Sequence, residues 1–194
     1  MTMKTIETTL TTEAIFSKDQ TKRYMLKKTW DGRKKNIAII MLAPSEASGI
    51  MLDSTTLLVL NNAYRLDYGS VTILNLFATL NDFALKQAED NDSENIKTIL
   101  KAAKTADVVI YAAGVGKSRN KVFKERQTQV LSALQPYENK LHCLCDSMGT
   151  SRLQHPLSPA VREWHLSPLK IEELITDDTK KQKSDTTIDS TDKT

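Results

Sequence analysis

Six consecutive apolar residues, Ile37 to Leu42, followed at once by Ala43-Pro44-Ser45, constrain the fold of this chain more than any other stretch. A strand with one wet face alternates apolar and polar side chains, whereas a strand apolar at every position suits a parallel sheet covered on both faces. Pro44 then ends the ladder, because proline has no amide hydrogen and pushes the residue before it into extended geometry. The chain therefore turns across the carboxyl end of a central strand, where open α/β sheets hold their ligands.

The rest of the sequence supplies neighbours for that strand. Glu13 to Ser17 and Lys22 to Trp30 read as an antiparallel hairpin around Lys18 to Thr21, closed by Asp31-Gly32. Asp53-Ser54-Thr55 offers N-cap chemistry for a helix to about Asp67, with Leu57, Leu60, Ala63 and Tyr64 expected on its buried side. Val71 to Leu76, Asp107 to Ala113 and Leu141 to Leu144 are further buried strands. After a polar connection from Asn81 to Asp92, Ser93-Glu94-Asn95 opens a helix carrying Ile96, Ile99, Leu100 and Ala103 at helical spacing. Asn120 to Leu134 is amphipathic, with Val122, Phe123, Val130 and Leu134 inward, charge outward and Pro136 as its stop. A long loop from Asp146 to Pro159 precedes a last short helix, which Ser167-Pro168 is expected to cap and which runs through about Ile175.

Strands and helices alternating in this way predict an α/β fold, a three-layer α/β/α sandwich with a mostly parallel central sheet and an N-terminal antiparallel hairpin. Residues 1–12 are expected to fray, 13–176 to form a single domain, and the polar tail 177–194 to be disordered. No apolar run approaches the roughly 20 residues of a membrane span, and the start lacks a secretory pattern, so a cytoplasmic protein without membrane contact is expected. Cys143 and Cys145 lack the spacing of a zinc knuckle or redox pair and read as packing thiols, and no metal or other cofactor is expected.

The net charge of +3 selects no partner, but its distribution is uneven. Lys22, Arg23, Lys27, Lys28, Arg33, Lys34 and Lys35 face the single acid Asp31, and Lys117, Arg119, Lys121, Lys124 and Arg126 face Glu125. Brought together these clusters would attract phosphate; kept apart they are two solvated faces.

Four loops at the carboxyl edge carry the candidate chemistry. His155, beside a proline, can donate to a carbonyl or a developing anion, or it can tie down its own loop. Asn75 at a strand end has donors and an acceptor for a base or sugar edge, or for the backbone that finishes the strand. Pro44, Ser45, Phe77 and Gly114 complete the expected binding surface, with Ser45 a phosphate or hydroxyl contact or a self-satisfied turn residue. Asp53 is the second candidate for catalysis and also a natural helix-start residue. Gly114-Val115-Gly116-Lys117-Ser118 lies between a strand and a helix as a phosphate loop does, but the first glycine of that motif would fall on Tyr111, inside the strand. A nucleotide hydrolase using Lys117 is thus the remoter alternative, although the glycines and Lys117 can still meet a single phosphate.

Trp30, Met41-Leu42-Ala43-Pro44-Ser45, Asp53-Ser54-Thr55, Asn75-Leu76-Phe77-Ala78, Ser93-Glu94-Asn95, Gly114 and His155-Pro156-Leu157 resemble, in that order, the motifs of a bacterial family of unknown function. It is the domain-of-unknown-function family number 1643, and the resemblance covers roughly residues 13 to 160. A more distant similarity is to the uracil-DNA glycosylase superfamily. There a strand ends in a proline loop that positions the catalytic water, a later strand ends near an asparagine, and a His-Pro loop follows the last strand. His155-Pro156-Leu157-Ser158-Pro159 is similar to the last of these and Leu74-Asn75-Leu76 to the middle one.

The similarity implies a nucleobase, nucleotide or nucleic-acid ligand and, for an enzyme, hydrolysis of a glycosidic bond. The residue before the loop proline is commonly Asp or Asn in the glycosylases and usually Asn in the closer family. Here it is Ala43, which neither accepts nor donates a proton. Glu46 and Asp53 are then the nearest carboxylates, and a non-catalytic binding or regulatory module of the same fold is the competing expectation.

Overall fold

The computed structural model describes residues 3–45, 49–80, 92–114, 121–150 and 152–174. Four sequence expectations lie outside the described residues: the connection before Asp92, the carboxylate Glu46, the loop from Val115 through Lys117 and Ser118, and the tail 177–194. Among the described residues there are seven strands, β1 (Thr11–Phe16), β2 (Arg23–Thr29), β3 (Asn36–Met41), β4 (Ser70–Asn75), β5 (Val108–Tyr111), β6 (Leu141–Cys145) and β7 (His165–Pro168). Three helices, α1 (Ser54–Arg65), α2 (Ser93–Thr105) and α3 (Lys121–Ala133), join the middle strands, and a 3-10 helix from Gln135–Lys140 leads into β6.

The strands form one sheet in the order β1-β2-β4-β3-β5-β6-β7. β4, β3, β5 and β6 run parallel, while β2 pairs antiparallel with β4, β1 with β2, and β7 with β6. The sheet is therefore mixed, three parallel pairings against three antiparallel, rather than mostly parallel. Parallel neighbours need a long crossover, and helices join the four middle strands; β1 returns on β2 by a short turn, while β2 and β7, which no helix links to their neighbours β4 and β6, pair antiparallel with them.

Apolar side chains pack in two clusters. Ala38, Ile40, Leu74, Val109, Tyr111 and Cys143 meet Ile99 and Ala103 of α2 and Phe123, Val130 and Leu131 of α3. Ile37, Ile39, Met41, Val71, Ile73 and Ile110, one position out of step along the same strands, meet Val59 and Ala63 of α1, with Val161 and Trp164. Successive strand residues point to opposite faces, so an unbroken apolar run feeds both clusters at once. Cys143 and Cys145 are free and buried. Among the described residues no helix is long and apolar enough to cross a membrane.

Three expectations are corrected. The buried face of α1 is Thr56, Val59, Asn62 and Ala63, while Leu57 and Tyr64 point to solvent. Asn62 explains the rotation: its amide nitrogen donates to the Arg162 carbonyl at 3.1 Å and its oxygen accepts from the Trp164 amide at 3.0 Å. A polar residue takes an inward position because it satisfies the backbone of the segment that covers α1. Next, β7 takes the two residues expected to cap the last helix, and helical geometry starts later, at Ile171. Ser167 lies opposite Cys143 and Pro168 opposite His142, and proline is tolerated there because β7 is an edge strand; among the described residues 171–174 are helical, within the expected span. Finally, Thr11 and Thr12 belong to β1 rather than to a frayed end, paired with Thr29 and Lys28.

One glycine is fixed by a close approach. A Cβ on Gly69 would sit 1.8 Å from the Asp31 carbonyl, because the Gly69 carbonyl accepts from both Trp30 and Asp31 where the β2–β3 turn crosses the start of β4.

Candidate active or binding site

After β3 the chain crosses to β4 on one side and returns as β5 on the other, so the crevice outside the carboxyl ends of β3 and β5 is the topological switch point of the parallel block. The loops leaving these strands are stitched together by backbone. The Leu76 amide donates to the Met41 carbonyl at 2.8 Å and the Phe77 amide to the Leu42 carbonyl at 3.0 Å. Ala112 beyond β5 donates to Ile40 at 2.8 Å.

Arg23, at the first position of β2, ties these loops to the next one. Its guanidinium Nη1 donates to the Ser45 carbonyl at 3.2 Å and its amide to the Ala78 carbonyl at 2.8 Å, although the residue is only 2% exposed. A β-bulge delivers it: Ile15 pairs with Met25 and Phe16 with Arg23, leaving Tyr24 as the extra residue. The bulge resets the alternation, so Arg23 does not follow the period set by Leu26. Burial lowers the guanidinium's pKa and the nearby Asp53 carboxylate opposes that shift.

Asp53 caps α1. Its side chain accepts from the Thr56 amide at 2.6 Å and hydrogen-bonds with Ser45. Burial pushes its carboxyl pKa up, but those hydrogen bonds and the charge of Arg23 outweigh it and hold the group below the usual carboxylate value. An ionised, fully engaged cap oxygen is a weak proton acceptor, so the geometry argues against a general base here.

His155 reaches the same cluster from the loop after β6. The Leu157 amide donates to its Nδ1 at 3.2 Å, which assigns the proton of the neutral ring to Nε2. Burial lowers its pKa and Asp53 acts in the opposite sense, so the ring at neutral pH is an uncharged donor beside a carboxylate. Gly114 holds the loop close: it has φ +77°, and a Cβ added to it would lie 3.2 Å from the His155 Cβ. His155 also serves as a loop anchor, since the Ser158 amide donates to its carbonyl at 2.8 Å.

Asn75 ends β4 opposite Met41, with 1% of its surface exposed. Leu74 and Leu76 face the α2 and α3 side, so the Asn75 side chain faces the α1 side. Its carbonyl accepts from Asn95, but its amide Nδ2 is buried and has no hydrogen-bond partner among the described residues.

Thus Ser45, Asp53, Gly114 and His155 converge, Asn75 closes the neighbouring strand end, and Pro44 is buried. Phe77 does not join them; it packs into the α2 and α3 cluster and contributes its backbone alone. Lys117 lies outside the described residues.

Three further residues escaped sequence reasoning. By sequence Arg23 belongs to a basic cluster, and nothing in its neighbours signals burial. Asn95 donates from its amide to the carbonyls of Asn75 and Leu76 at 3.0 and 3.1 Å, and Arg126 donates from Nε to Leu76 at 2.7 Å. Both lie on helix faces otherwise apolar, and that position is the signal that finds them. The first basic cluster is not one face. Arg23 and Lys28 are buried, Lys22 pairs with Asp92, Arg33 with Asp31 and Lys34 with Asp67.

The family described as Protein of unknown function (DUF1643) matches residues 23–157, from Arg23 to Leu157. The chain belongs to the DUF1643 family. No curated protein and no solved structure matches it. The span matched by DUF1643 contains every residue of the cluster just described, while β1 and β7 lie beyond it.

Proposed function

We propose that this DUF1643 protein binds a nucleobase or nucleotide in the crevice outside β3 and β5, on a three-layer α/β/α fold distantly related to the uracil-DNA glycosylases. The observation that carries the reading is Asn75. A buried amide donor without a partner costs on the order of 1–3 kcal/mol, and a ligand carbonyl would satisfy it. A pyrimidine edge offers that acceptor, and the Nε2 proton of His155 offers a second directional bond.

Binding without hydrolysis is the stronger form of the proposal. Ala43 presents a methyl group packed against the core where a water-holding side chain would stand, and the Asp53 carboxylate is already occupied. Calorimetric titration with uracil, uridine and uridine monophosphate tests it, alongside a uracil-containing single strand across a salt series. Micromolar or tighter binding of base or nucleotide, weakened about tenfold or more by Asn75→Leu or His155→Ala, is expected. Affinity only for the strand, falling steeply with salt, would move the ligand to the polymer. No binding by any probe overturns the reading. In the same assay, uracil release by the natural chain would restore the hydrolase, whereas release only after Ala43→Asn supports the binder.

A further inference from the structure

Lys28 is the most unusual side chain outside that cluster. It sits in the middle of β2, 1% exposed, opposite Thr12 on β1 and Val71 on β4. An ammonium has three donors. One goes to the Thr12 hydroxyl at 2.8 Å and another to the Gly49 carbonyl. Among the described residues no third acceptor and no carboxylate engages it, and burial alone acts on its pKa, lowering it. A desolvated cation without a counter-ion is expensive to hold.

The space around it is not filled. A cavity of about 570 Å³ opens beside Lys28, with Leu10, Ala14, Ile50 and Leu52 supplying its apolar walls. That volume lies within the usual range for small-molecule sites. Three of its apolar walls stay open to solvent: Ile50 is 95% exposed, Leu10 48% and Leu52 39%. One buried positive charge at the base of an apolar hollow is complementary to one class of molecule, an anionic head on an aliphatic chain.

We propose that this cavity binds a free aliphatic carboxylate, its carboxylate accepting the third Lys28 donor and its chain lying between Leu10, Ala14, Ile50 and Leu52. The site is separate from the His155 cluster, and Leu10, Thr12 and Ala14 lie outside the span shared with the family. It does not rest on the nucleobase reading, and either can fail without the other.

Octanoate, octanol and octylamine, which share a chain and differ in head group, form the test with the full chain. Octanoate is expected to raise the melting temperature and to bind by calorimetry, at least tenfold more tightly than octanol, with octylamine not binding. Lys28→Met keeps the length and removes the charge, so it is expected to fold, with a melting temperature no lower than the parent, and to lose the preference for octanoate over octanol. Equal affinity for octanoate and octanol, or octanoate affinity unchanged in Lys28→Met, overturns the proposal. Should Lys28→Met fail to fold, Leu52→Lys supplies the second arm, since a cation in the wall is expected to shorten the preferred chain from octanoate to butyrate; an unchanged chain preference also overturns it.

Discussion

At the scale of single residues, the candidate site depends on how little space separates the loops. Gly114 has φ +77°, a conformation that glycine adopts freely and alanine does not, and its missing side chain leaves room for the His155 Cβ. Gly114→Ala is therefore expected to cost about 1–3 kcal/mol, from the strained backbone and from displacing His155. The loss should appear as a lower urea midpoint at unchanged slope, together with weaker nucleobase binding. Gly149, also at positive φ, has open space where its Cβ would be. The corresponding Gly149→Ala variant should pay only the backbone part and leave binding intact, so equal binding losses in the two variants would remove the claim that Gly114 positions His155.

At the scale of elements, the site is supported from beneath by α2 and α3. Asn95 is fully buried and hydrogen-bonds the carbonyls of two successive residues where β4 ends. Asn95→Ala would leave the Asn75 carbonyl without that partner and open space under the loop, a loss of about 2–3 kcal/mol in chemical denaturation. Lys97→Ala, on the exposed face of the same helix where Lys97 only pairs with Glu94, should leave the midpoint unchanged. The contrast also explains what could be read from the sequence. The apolar runs of β3, β4, β5 and β6 and the cap of α1 were legible because each rests on local chemistry: continuous burial, or a side chain accepting from an amide three residues on. The orientation of α1, the edge strand β7 and the buried roles of Arg23, Asn95 and Arg126 were not. Each answers to backbone groups far along the chain, as Asn62 answers to Arg162 and Trp164. At the site, proline, glycine and the His155 loop were visible as turn chemistry, while the bulge that turns Arg23 inward leaves no local mark.

At the scale of the whole molecule, the cluster couples function to global stability, because its members come from β2, the approach to α1, the end of β5 and the loop beyond β6. The pH dependence follows from His155. Burial depresses its folded pKa below 6.5, while in the unfolded chain it returns to that value. Where the unfolded state binds more protons than the folded one, stability rises with pH. The contribution is therefore complete above pH 6.5 and is lost as the pH falls from there through the lower folded value. Protonation also converts Nδ1 from acceptor to donor, breaking its bond from the Leu157 amide. His155→Asn keeps an oxygen for that amide and does not titrate. The stability advantage of the natural chain over His155→Asn should shrink between pH 7 and pH 5 in urea denaturation at fixed ionic strength. Asp53, held below 3.8, adds a second loss only at lower pH, present equally in both proteins. A difference that stays constant across that range would mean the imidazole is as free to protonate in the fold as in the unfolded chain, and the enclosed, neutral donor on which the nucleobase reading depends would not exist.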